Sequence, residues 1–520
     1  MRVSLIALAL GGVTFGAISP VTAKVHRVSD DEAFFVATRS VKPGDVIELM
    51  GGKTYEAEVY IKLPGTAEAP ITLRGISVGG KRPVIAGGEY GIEIANPHWV
   101  IENIEFTGAA YKCIFIATDD VVLRDLIVHD CKNGLLSADD AAGNHTVERC
   151  EFYRNGEGDY HHQLYTTTDQ DKYPGAVFRL IDSYIHDGTG GNNVKSRAER
   201  NEIYFNWIEG ARYHELELIG PDVDNPGPAR EDSDVVGNVL RKTRGDSHLL
   251  RIGGDGTMDT NGRYRFAHNT ILLKEEHVAP VRLFDGVESV ELHNNVFFRE
   301  GGGPIVLMRT VRATWTRGKP LIAGANNYLP TGSTEVPSQL VGTIEGTDPG
   351  FVDLAGLDLR PAEGSPLVDA AAPSPAGVAD APFPRPRTTL ERQPQRTRVA
   401  QARPERGARD IGAFEAGSPA PASTGPVTSP PGAPPVPPPP GEPKFSADGE
   451  PAEAPPSDLP GVRRFGCATV EVASVGWAAD PSRAGRWAGR WAGRWAGFGG
   501  GLSLVLGAWS RRRRRRTTPS

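Results

Sequence analysis

The residues best suited to chemistry are charged side chains that recur at one position of successive strand-like segments in this 520-residue chain. Alternate residues of a strand point to opposite faces, so one outward position of consecutive segments should form a column. Neighbouring strands lie about 4.8 Å apart, which predicts that Lys195 and Arg251 lie roughly 10 Å apart with Glu217 between them. In chain order this column reads Tyr165, Lys195, Glu217, Arg251, Arg282 and Val306.

These residue types are suited to proton abstraction beside a carboxylate. A lysine held near other cations has a lowered pKa and can act as a base. An arginine can bind a uronate carboxylate through two hydrogen bonds and so acidify the adjacent proton. The column therefore predicts β-elimination on an anionic polysaccharide, with Lys195 as the base, Arg251 or Arg197 on the carboxylate, and Tyr165 or His162 protonating the leaving oxygen.

Further polar residues and three long insertions lie beside the column. We predict that the column and its edges bind substrate through Arg197, Glu217, Arg282, His214 and His248. The insertions are expected to wall a groove, and they span Thr166–Gly175, Pro221–Asp232 and Asp255–Arg263. The alternative is a salt-bridge ladder of Lys195, Glu217 and Arg251 with no role beyond pairing charges across strands.

The elements that must position this column are internal repeats. Eight segments share an apolar-x-x-X-x-apolar pattern, at Ile101–Phe106, Leu123–Val128, Val147–Phe152, Leu180–Ile185, Ile203–Ile208, Val235–Leu240, Phe266–Ile271 and Leu292–Phe297. A second strand is predicted after each segment, the last at Pro304–Met308. One strand-rich coil needs about this much chain, so the repeats predict an all-β fold, a right-handed parallel β-helix. The aligned asparagines Asn206, Asn238, Asn269 and Asn295 predict an internal amide ladder.

The remaining segments predict the domain organisation. Residues 1–23 are typical of a secretory signal peptide, with Arg2, an apolar stretch and small residues at the cleavage site. Residues 24–97 are expected to form an N-terminal cap and the first coils, with a short helix at Asp30–Ala37 over the open end of the core. Residues 98–309 are the repeats, and residues 310–417 an irregular C-terminal part that finishes the solenoid and runs back along it.

The C-terminal tail differs in composition from the rest of the chain. Residues 418–460 form a proline-rich linker that we expect to be disordered and extended. Residues 461–520 combine a cysteine, a low-complexity stretch, a short apolar stretch and six consecutive arginines. This tail resembles the C-terminal sorting tails of some Gram-negative surface proteins, which implies a membrane-associated retention signal. The alternative is a disordered tail without function.

Charge and cysteine content narrow the class of partner and the compartment. The formal net charge is −7 with the terminal arginines included, so the folded part is more acidic still. A general nucleic-acid binder needs a basic field, and none is expected here. We predict export through a Sec-type route to the extracellular space or the outer cell surface, and a monomer. Four cysteines are too few for a disulfide scaffold, and the first three allow either one bridge or buried thiols.

Two regions resemble a known enzyme family. The stretch from Val41 to Gly87 is similar to the N-terminal region of β-helix polysaccharide lyases, the group that contains chondroitinase B and alginate lyases. Asn193–Asn206 resembles that group's NKS-x-x-N-x-I-x-x-N segment, whose lysine is the catalytic base and falls on Lys195. The resemblance implies a β-helix fold over residues 30–415 and lyase activity on a uronate-containing polymer.

The chain departs from this family at two places. The arginine of the family's LRHG-like segment is absent from Leu216–Gly220, so Arg251 or Arg197 must supply that cation. The family's calcium-binding acidic residues are replaced by Gly188–Asn192, and we predict no cofactor and no metal ligand. The pairs Asp169-x-Asp171 and Asp222-x-Asp224 remain alternative sites for calcium or another hard cation, although acidic pairs in loops are usually solvated.

Overall fold

The structure is a computed structural model of the whole chain. It describes residues 23–220, 230–244, 248–254, 260–274, 279–310 and 315–422. Residues 1–22 of the predicted signal peptide, most of the predicted proline-rich linker and the whole tail 461–520 lie outside these described residues. Among the described residues no helix is long and apolar enough to cross a bilayer.

The described residues form three long parallel sheets, of thirteen, twelve and ten strands, that wind as a right-handed β-helix. Sheet 1 contains Val25–Val28, Val46–Met50, Ile71–Ile76, Trp99–Glu102, Val121–Arg124, His145–Glu148, Val177–Ile181, Arg200–Tyr204, Asp232–Val236, Gly262–Ala267, Val287–His293, Ile322–Ala325 and Leu340–Val341. Sheet 2 contains Thr54–Glu56, Val84–Ala86, Glu105–Thr107, Ile127–His129, Glu151–Tyr153, Tyr184–His186, Trp207–Glu209, Val239–Lys242, Thr270–Leu273, Val296–Arg299, Tyr328–Pro330 and Ile344–Gly346. Sheet 3 contains Val59–Ile61, Tyr90–Ile94, Lys112–Ile116, Asn133–Ser137, Leu164–Thr167, Val194–Arg197, Leu216–Ile219, Leu250–Gly253, Val281–Leu283 and Met308–Thr310.

Each complete coil thus carries three strands, one more than the repeat pattern predicted. The six-residue segments straddle a corner: Leu180–Ile185 begins in the sheet 1 strand Val177–Ile181 and ends in the sheet 2 strand Tyr184–His186. The residue between them, Asp182, has a φ of 50°, and Gly237 at the same corner of a later coil has a φ of 70°. A left-handed residue bends the backbone sharply, which is why an apparently continuous segment divides into two strands.

The predicted asparagine ladder lies at this corner and extends by one residue, Asn327. The side-chain amide of Asn206 donates to Oδ1 of Asn238 at 3.0 Å, and that of Asn238 donates to Oδ1 of Asn269 at 3.0 Å. Asn269, Asn295 and Asn327 continue the series with the same 3.0 Å distance. Each Oδ1 also accepts the backbone N–H of the preceding asparagine, so the ladder satisfies buried polar groups on five coils.

The N-terminal end of the solenoid is closed by the expected helix, α1 (Asp31–Thr38). Asp30 caps it by accepting the N–H of Ala33 at 2.9 Å, as acidic residues before a first turn commonly do. Phe34 is buried by this helix and contacts the ring of Tyr55 edge to face. From there the apolar core runs continuously through the inside of the coils as far as Leu340.

The end of the described chain runs back along the outside of sheets 1 and 2. The N–H of Val378 donates to Glu291, that of Arg387 to Asp234, and the guanidinium of Arg392 to Asp182, so successive residues reach earlier coils. Two short antiparallel pairs lie in this segment: Phe351–Asp353 with Asp358–Pro361, and Arg392–Gln393 with Gln401–Ala402. A second apolar cluster, which includes Trp207 and Phe414, fills the space against sheet 2. This segment therefore occupies the outer faces of sheets 1 and 2.

One of the alternatives left open for the cysteines is realised. Cys113 and Cys131 form a disulfide within the apolar core between adjacent coils. Cys150 is a free, buried thiol, and its burial raises its pKa to about 12. Such a thiol is a small core side chain rather than a nucleophile.

Candidate functional site

The register of sheet 3 brings the predicted column together. Tyr165 pairs with Lys195, Lys195 with Glu217, Glu217 with Arg251, and Arg251 with Arg282. These five residues therefore stand on consecutive coils at the spacing expected from the sequence. The polar residues of the column are buried: Lys195 is 6 % exposed, Glu217 5 % and Arg251 8 %.

The last position of the predicted column is wrong. Arg309, not Val306, pairs with Arg282, because the final strand spans Met308–Thr310 rather than Pro304–Met308. Gly302 and Gly303 both adopt positive φ and Pro304 follows them, so the turn continues further than the apolar pattern indicated. The correction changes the chemistry, because it replaces an apolar residue by an exposed cation at the end of the column.

Glu217 is the centre of the charged cluster. Its Oε2 lies 3.6 Å from Nζ of Lys195, and its Oε1 accepts a hydrogen bond of 2.9 Å from Nη1 of Arg251. Burial alone would raise the pKa of Glu217, but the charges of Lys195 and Arg251 outweigh burial and hold the pKa well below its usual range. The carboxyl group is therefore ionised at neutral pH and cannot serve as a general acid.

Tyr165 lies on the other side of Lys195. Nζ of Lys195 is 4.9 Å from the centre of the Tyr165 ring, within the range of a cation–π contact. The Tyr165 hydroxyl accepts a hydrogen bond of 2.9 Å from Nε of Arg197, whose Nη1 donates to the carbonyl of Gly220. Arg197 thus holds the phenol in place, and it lies on the same strand as Lys195.

The predicted histidines belong to a different feature, a series of hydrogen bonds at the corner before sheet 3. The N–H of Asn192 donates to Nδ1 of His162 at 2.9 Å, and the N–H of His214 donates to Oδ1 of Asn192 at 2.9 Å. Nδ1 of His214 hydrogen-bonds the carbonyl of His248 at 2.8 Å. The imidazoles of His162 and His214 therefore link one coil to the next, as the asparagine ladder does at another corner, and His248 contributes its backbone carbonyl.

Burial sets the charge state of these histidines. It lowers the pKa of His162 and of His214 to about 3, and the pKa of His248 to about 2, where the charge of Arg282 adds to the effect. All three are neutral at physiological pH. Because Nδ1 of His162 accepts a hydrogen bond, its proton sits on Nε2, which has no hydrogen-bond partner within the described part of the chain.

The far end of the column is cationic and contains an aromatic residue that the sequence did not indicate. The guanidinium of Arg251 lies 4.0 Å from the centre of the Phe284 ring, and that of Arg282 lies 5.0 Å from it. Phe284 is buried, and its ring lies within cation–π distance of both guanidinium groups. With Arg309, the column carries four cations and one carboxylate.

Asn192 is a second site residue that sequence reasoning missed. Its amide donates to Oε2 of Glu217 at 2.5 Å, so it connects the histidine corner to the charged cluster. It belongs to Gly188–Asn192, the segment that replaces the acidic residues of the resembling family. The glycines there have a steric reason: Gly191 has a φ of 47°, and a Cβ at this residue would overlap the His162 ring.

A metal site is not indicated within the described ranges. They contain no cluster of three or more His, Cys, Asp or Glu side chains arranged to hold an ion. Oδ1 of Asp169 accepts the N–H groups of Asp171 and Lys172, so it caps a turn. Asp222 and Asp224, like parts of two of the predicted groove walls, lie outside the described residues.

A second charged ladder, on sheet 1, consists of ion pairs between neighbouring coils and serves as a comparison for the sheet 3 column. Signs alternate along it through Arg27, Glu48, Arg74, Glu102, Arg124 and Glu148. Ion pairs connect neighbouring coils, and most of these side chains are partly exposed. The sheet 3 column differs from it in two respects, since its ion pairs are buried and its charges do not alternate beyond Arg251.

Several solved structures are similar to this chain. No protein-family model and no curated protein sequence matches the chain. Among solved structures, an alginate lyase from Paenibacillus sp. strain FPU-7 is 17 % identical, with 56 % of this chain and 97 % of that chain covered and a TM-score of 0.42. A pectate lyase is 13 % identical, with 76 % and 98 % covered and a TM-score of 0.47.

A family 6 polysaccharide lyase from Pseudopedobacter saltans is 13 % identical, with 62 % of this chain and 92 % of that chain covered and a TM-score of 0.33. The solved structures that this chain resembles thus include polysaccharide lyases, as the sequence predicted. The chain itself is a right-handed parallel β-helix whose sheet 3 carries the buried cations Lys195, Arg251 and Arg282.

Proposed function

We propose that this protein acts on an anionic, uronate-containing polysaccharide and cleaves it by β-elimination at the sheet 3 column. The observation that carries the proposal is the composition of the column, in which the cations Lys195, Arg251, Arg282 and Arg309 and one carboxylate, that of Glu217, stand on consecutive coils. Such an excess of cations on one outward face is suited to an anionic polymer even though the whole chain is acidic.

In the proposed step the neutral amine of Lys195 removes the proton from C5 of the uronate. Arg251 binds the carboxylate and stabilises the negative charge that develops there. The C4–O4 bond breaks, its electron pair leaves with O4, and a C4–C5 double bond forms. A proton delivered to O4 completes the elimination, so that one unsaturated and one saturated chain end result.

Tyr165 is the better of the two proposed acids. His162 is neutral at physiological pH because its pKa is lowered to about 3 by burial and by the charge of Lys195, so it holds no imidazolium proton to give. The Tyr165 phenol is next to Lys195 in register and is held by Arg197. The guanidinium beside its oxygen would stabilise the phenolate that forms when the proton leaves.

The second candidate function is a glycan-binding or cell-surface structural protein without catalysis. It is favoured by the ion pair between Lys195 and Glu217, because a buried carboxylate at 3.6 Å stabilises the protonated amine. Catalysis would require substrate to weaken that pair. Binding of an anionic polymer to the column would not.

An assay of product formation separates the two candidates. The full chain is incubated with alginate, chondroitin or pectate, and the ultraviolet absorbance of the new double bond is followed. We expect a signal on one of the polymers, its loss in Lys195→Ala, and no change in Lys81→Ala, which alters an exposed lysine in a turn far from the column along the chain. Absence of the signal on every polymer, with polymer binding retained, would leave the non-catalytic function.

We further propose that the protein is exported and retained at the cell surface through its tail. The Cys113–Cys131 disulfide supports this, since disulfides persist mainly outside the reducing cytosol. Mass spectrometry of the mature protein from its own cells should find an N-terminus at Lys24. An N-terminus at Met1 in the mature protein would exclude cleavage of the predicted signal.

A further inference from the structure

We propose that the first coils of sheet 3 form an aromatic platform that stacks sugar rings and extends the groove along the β-helix axis. The aromatic platform comprises Tyr90, Tyr111 and Phe115, which surround Lys112. This inference rests on the proposed function, because it assigns neighbouring residues of the same polymer to a second part of the same face. The ligand of this second part is the apolar face of a pyranose ring.

The platform is a defined cluster of rings around one ammonium group. The ring centres of Tyr90 and Tyr111 lie 5.9 Å apart at an angle of 79°, and those of Tyr90 and Phe115 lie 6.1 Å apart. Nζ of Lys112 is 3.6 Å from the centre of the Phe115 ring, 4.7 Å from Tyr111 and 5.2 Å from Tyr90. The geometry is that of a cation held by three aromatic faces or edges.

The rings are partly exposed while the lysine beneath them is buried. Lys112 is 6 % exposed, and burial lowers its pKa to about 8, with only partial compensation from Glu93. Tyr90, Tyr111 and Phe115 lie between buried and exposed. Aromatic rings that only fill the core are buried, whereas these three rings are partly exposed to solvent. Their contacts with the buried Lys112 hold them in place. An immobilised ring binds a ligand with little loss of side-chain entropy.

The platform and the charged column stand on one face. Phe115 pairs with Leu136, Leu136 with Tyr165, and Tyr165 with Lys195, so the platform lies three coils from the base. Three strand spacings amount to about 14 Å, a distance that a short oligosaccharide spans. The ring of His161 is 6.5 Å from that of Tyr111. A polymer bound to both parts must run parallel to the helix axis.

The two parts would recognise different features of the polymer. Around the platform the charges are mixed, because Glu93 lies near Lys112 and Lys62. A carboxylate group of the polymer therefore contributes little binding free energy at the platform. The larger contribution comes from the C–H face of a sugar that stacks on an aromatic ring. Charge is recognised from Lys195 onwards, where cations dominate. The platform should therefore increase affinity for longer oligosaccharides and contribute nothing to those too short to reach it.

The test uses alginate, chondroitin and pectate oligosaccharides of graded length, with the affinity of the full chain measured by calorimetry. All variants carry Lys195→Ala, so the ligand is not consumed. We expect Phe115→Ala and Tyr111→Ala to weaken binding of long oligosaccharides about three- to tenfold per ring and to leave short ones unaffected. Tyr111→Phe keeps the ring and should bind normally. Phe35→Ala is the matched control, because Phe35 is an exposed aromatic residue of α1 whose ring contacts the guanidinium of Arg39.

The outcomes separate the platform from the lyase activity. Equal affinity of Phe115→Ala, Tyr111→Ala and Phe35→Ala for long oligosaccharides overturns the platform, whether or not the wild-type chain cleaves them. A length-dependent loss in the two platform variants supports it even if no cleavage is found. A loss of the same size for short and long oligosaccharides also overturns it, since that result places the rings beside the column instead of three coils away.

Discussion

Nζ of Lys195 lies 3.6 Å from Oε2 of Glu217, one coil apart on sheet 3 and with both side chains buried. This pair couples the charge of the proposed base to a carboxylate that never leaves its ionised form near neutral pH. Arg251 binds the other oxygen of the same carboxylate. A change in the charge of Glu217 therefore alters the electrostatic interactions of both proposed catalytic cations, Lys195 and Arg251.

The first prediction concerns Glu217→Gln. The amide keeps the shape of the side chain but leaves two buried cations facing a neutral group, and we expect a loss of about 3–5 kcal/mol in unfolding free energy. The matched control is Glu102→Gln, which stands between Arg74 and Arg124 on the partly exposed sheet 1 ladder and should cost less than about 1 kcal/mol. Urea unfolding measures both.

The pH dependence of this effect has a definite sign. Because the folded-state pKa of Glu217 is lowered, its contribution to stability is present above the unfolded-state pKa of about 4.3 and is lost as the pH falls towards the folded-state value. The stability difference between wild type and Glu217→Gln should therefore shrink in acid. The variant also removes the negative charge that stabilises the protonated amine of Lys195. The amine is then neutral at lower pH, so the rising limb of the pH–rate profile should move to lower pH. A limb that does not move would argue against Lys195 as the base.

The column could be predicted because its spacing follows from the repeat. Once strands are assigned, parallel register places Lys195, Glu217 and Arg251 side by side, and no tertiary detail can change that order. The error at Val306 arose where glycines lengthen a turn, since an apolar alternation does not reveal where a strand begins. The aromatic platform was missed because its rings come from corners as well as strands, where the period of two no longer applies.

The roles of the histidines were harder to predict. In the sequence, a histidine next to a charged column suggests a catalytic role. In the folded chain, His162 and His214 instead form hydrogen bonds with backbone groups of adjacent coils. The same holds for Asn192, whose contact with Glu217 depends on how Gly191 lets the chain approach His162. Corner geometry was the information that the repeat pattern lacked.

The second prediction tests the asparagine ladder with Asn238→Ala. The amide of Asn238 donates to the carbonyl of Ile203 and to Asn269, and its oxygen accepts two N–H groups of Asn206. Removing it leaves several buried groups without partners, each costing about 1–3 kcal/mol, so the total loss should exceed about 3 kcal/mol. Asn96→Ala, which removes one long hydrogen bond to Ile61, should cost far less in the same urea titration.

The third prediction concerns the disulfide between Cys113 and Cys131. The bridge closes a loop with a sequence separation of 18, and the chain-entropy relation gives about 3 kcal/mol of stabilisation for a loop of this length. Reduction, or the double substitution Cys113→Ala with Cys131→Ala, should lower the unfolding free energy by about that amount. Cys150→Ala should leave the sensitivity to reductant intact. Insensitivity of the wild-type chain to reductant would contradict the bridge.

The fourth prediction is that His186 on sheet 2 contributes to a loss of stability as the pH rises past neutral. Burial opposes protonation of His186, but hydrogen bonds to Asp187 and Glu151 outweigh burial and raise its pKa. A raised folded-state pKa contributes stability that is full below the unfolded-state value of about 6.5 and is lost as the pH rises through the folded-state value. Denaturant unfolding from pH 6 to pH 9 should show this decline, which His186→Gln should reduce.

His129 shares the effect, because its pKa is also raised by hydrogen bonds to Asp130 and Glu105 against the opposing effect of burial. The decline should therefore be only partly removed in His186→Gln and further reduced when His129→Gln is added. His145→Gln is the matched control: burial lowers the pKa of His145 to about 4, so this imidazole is neutral throughout the range. Its substitution should cost the same free energy at pH 6 as at pH 9, and a pH-dependent cost there would show that the decline has another origin.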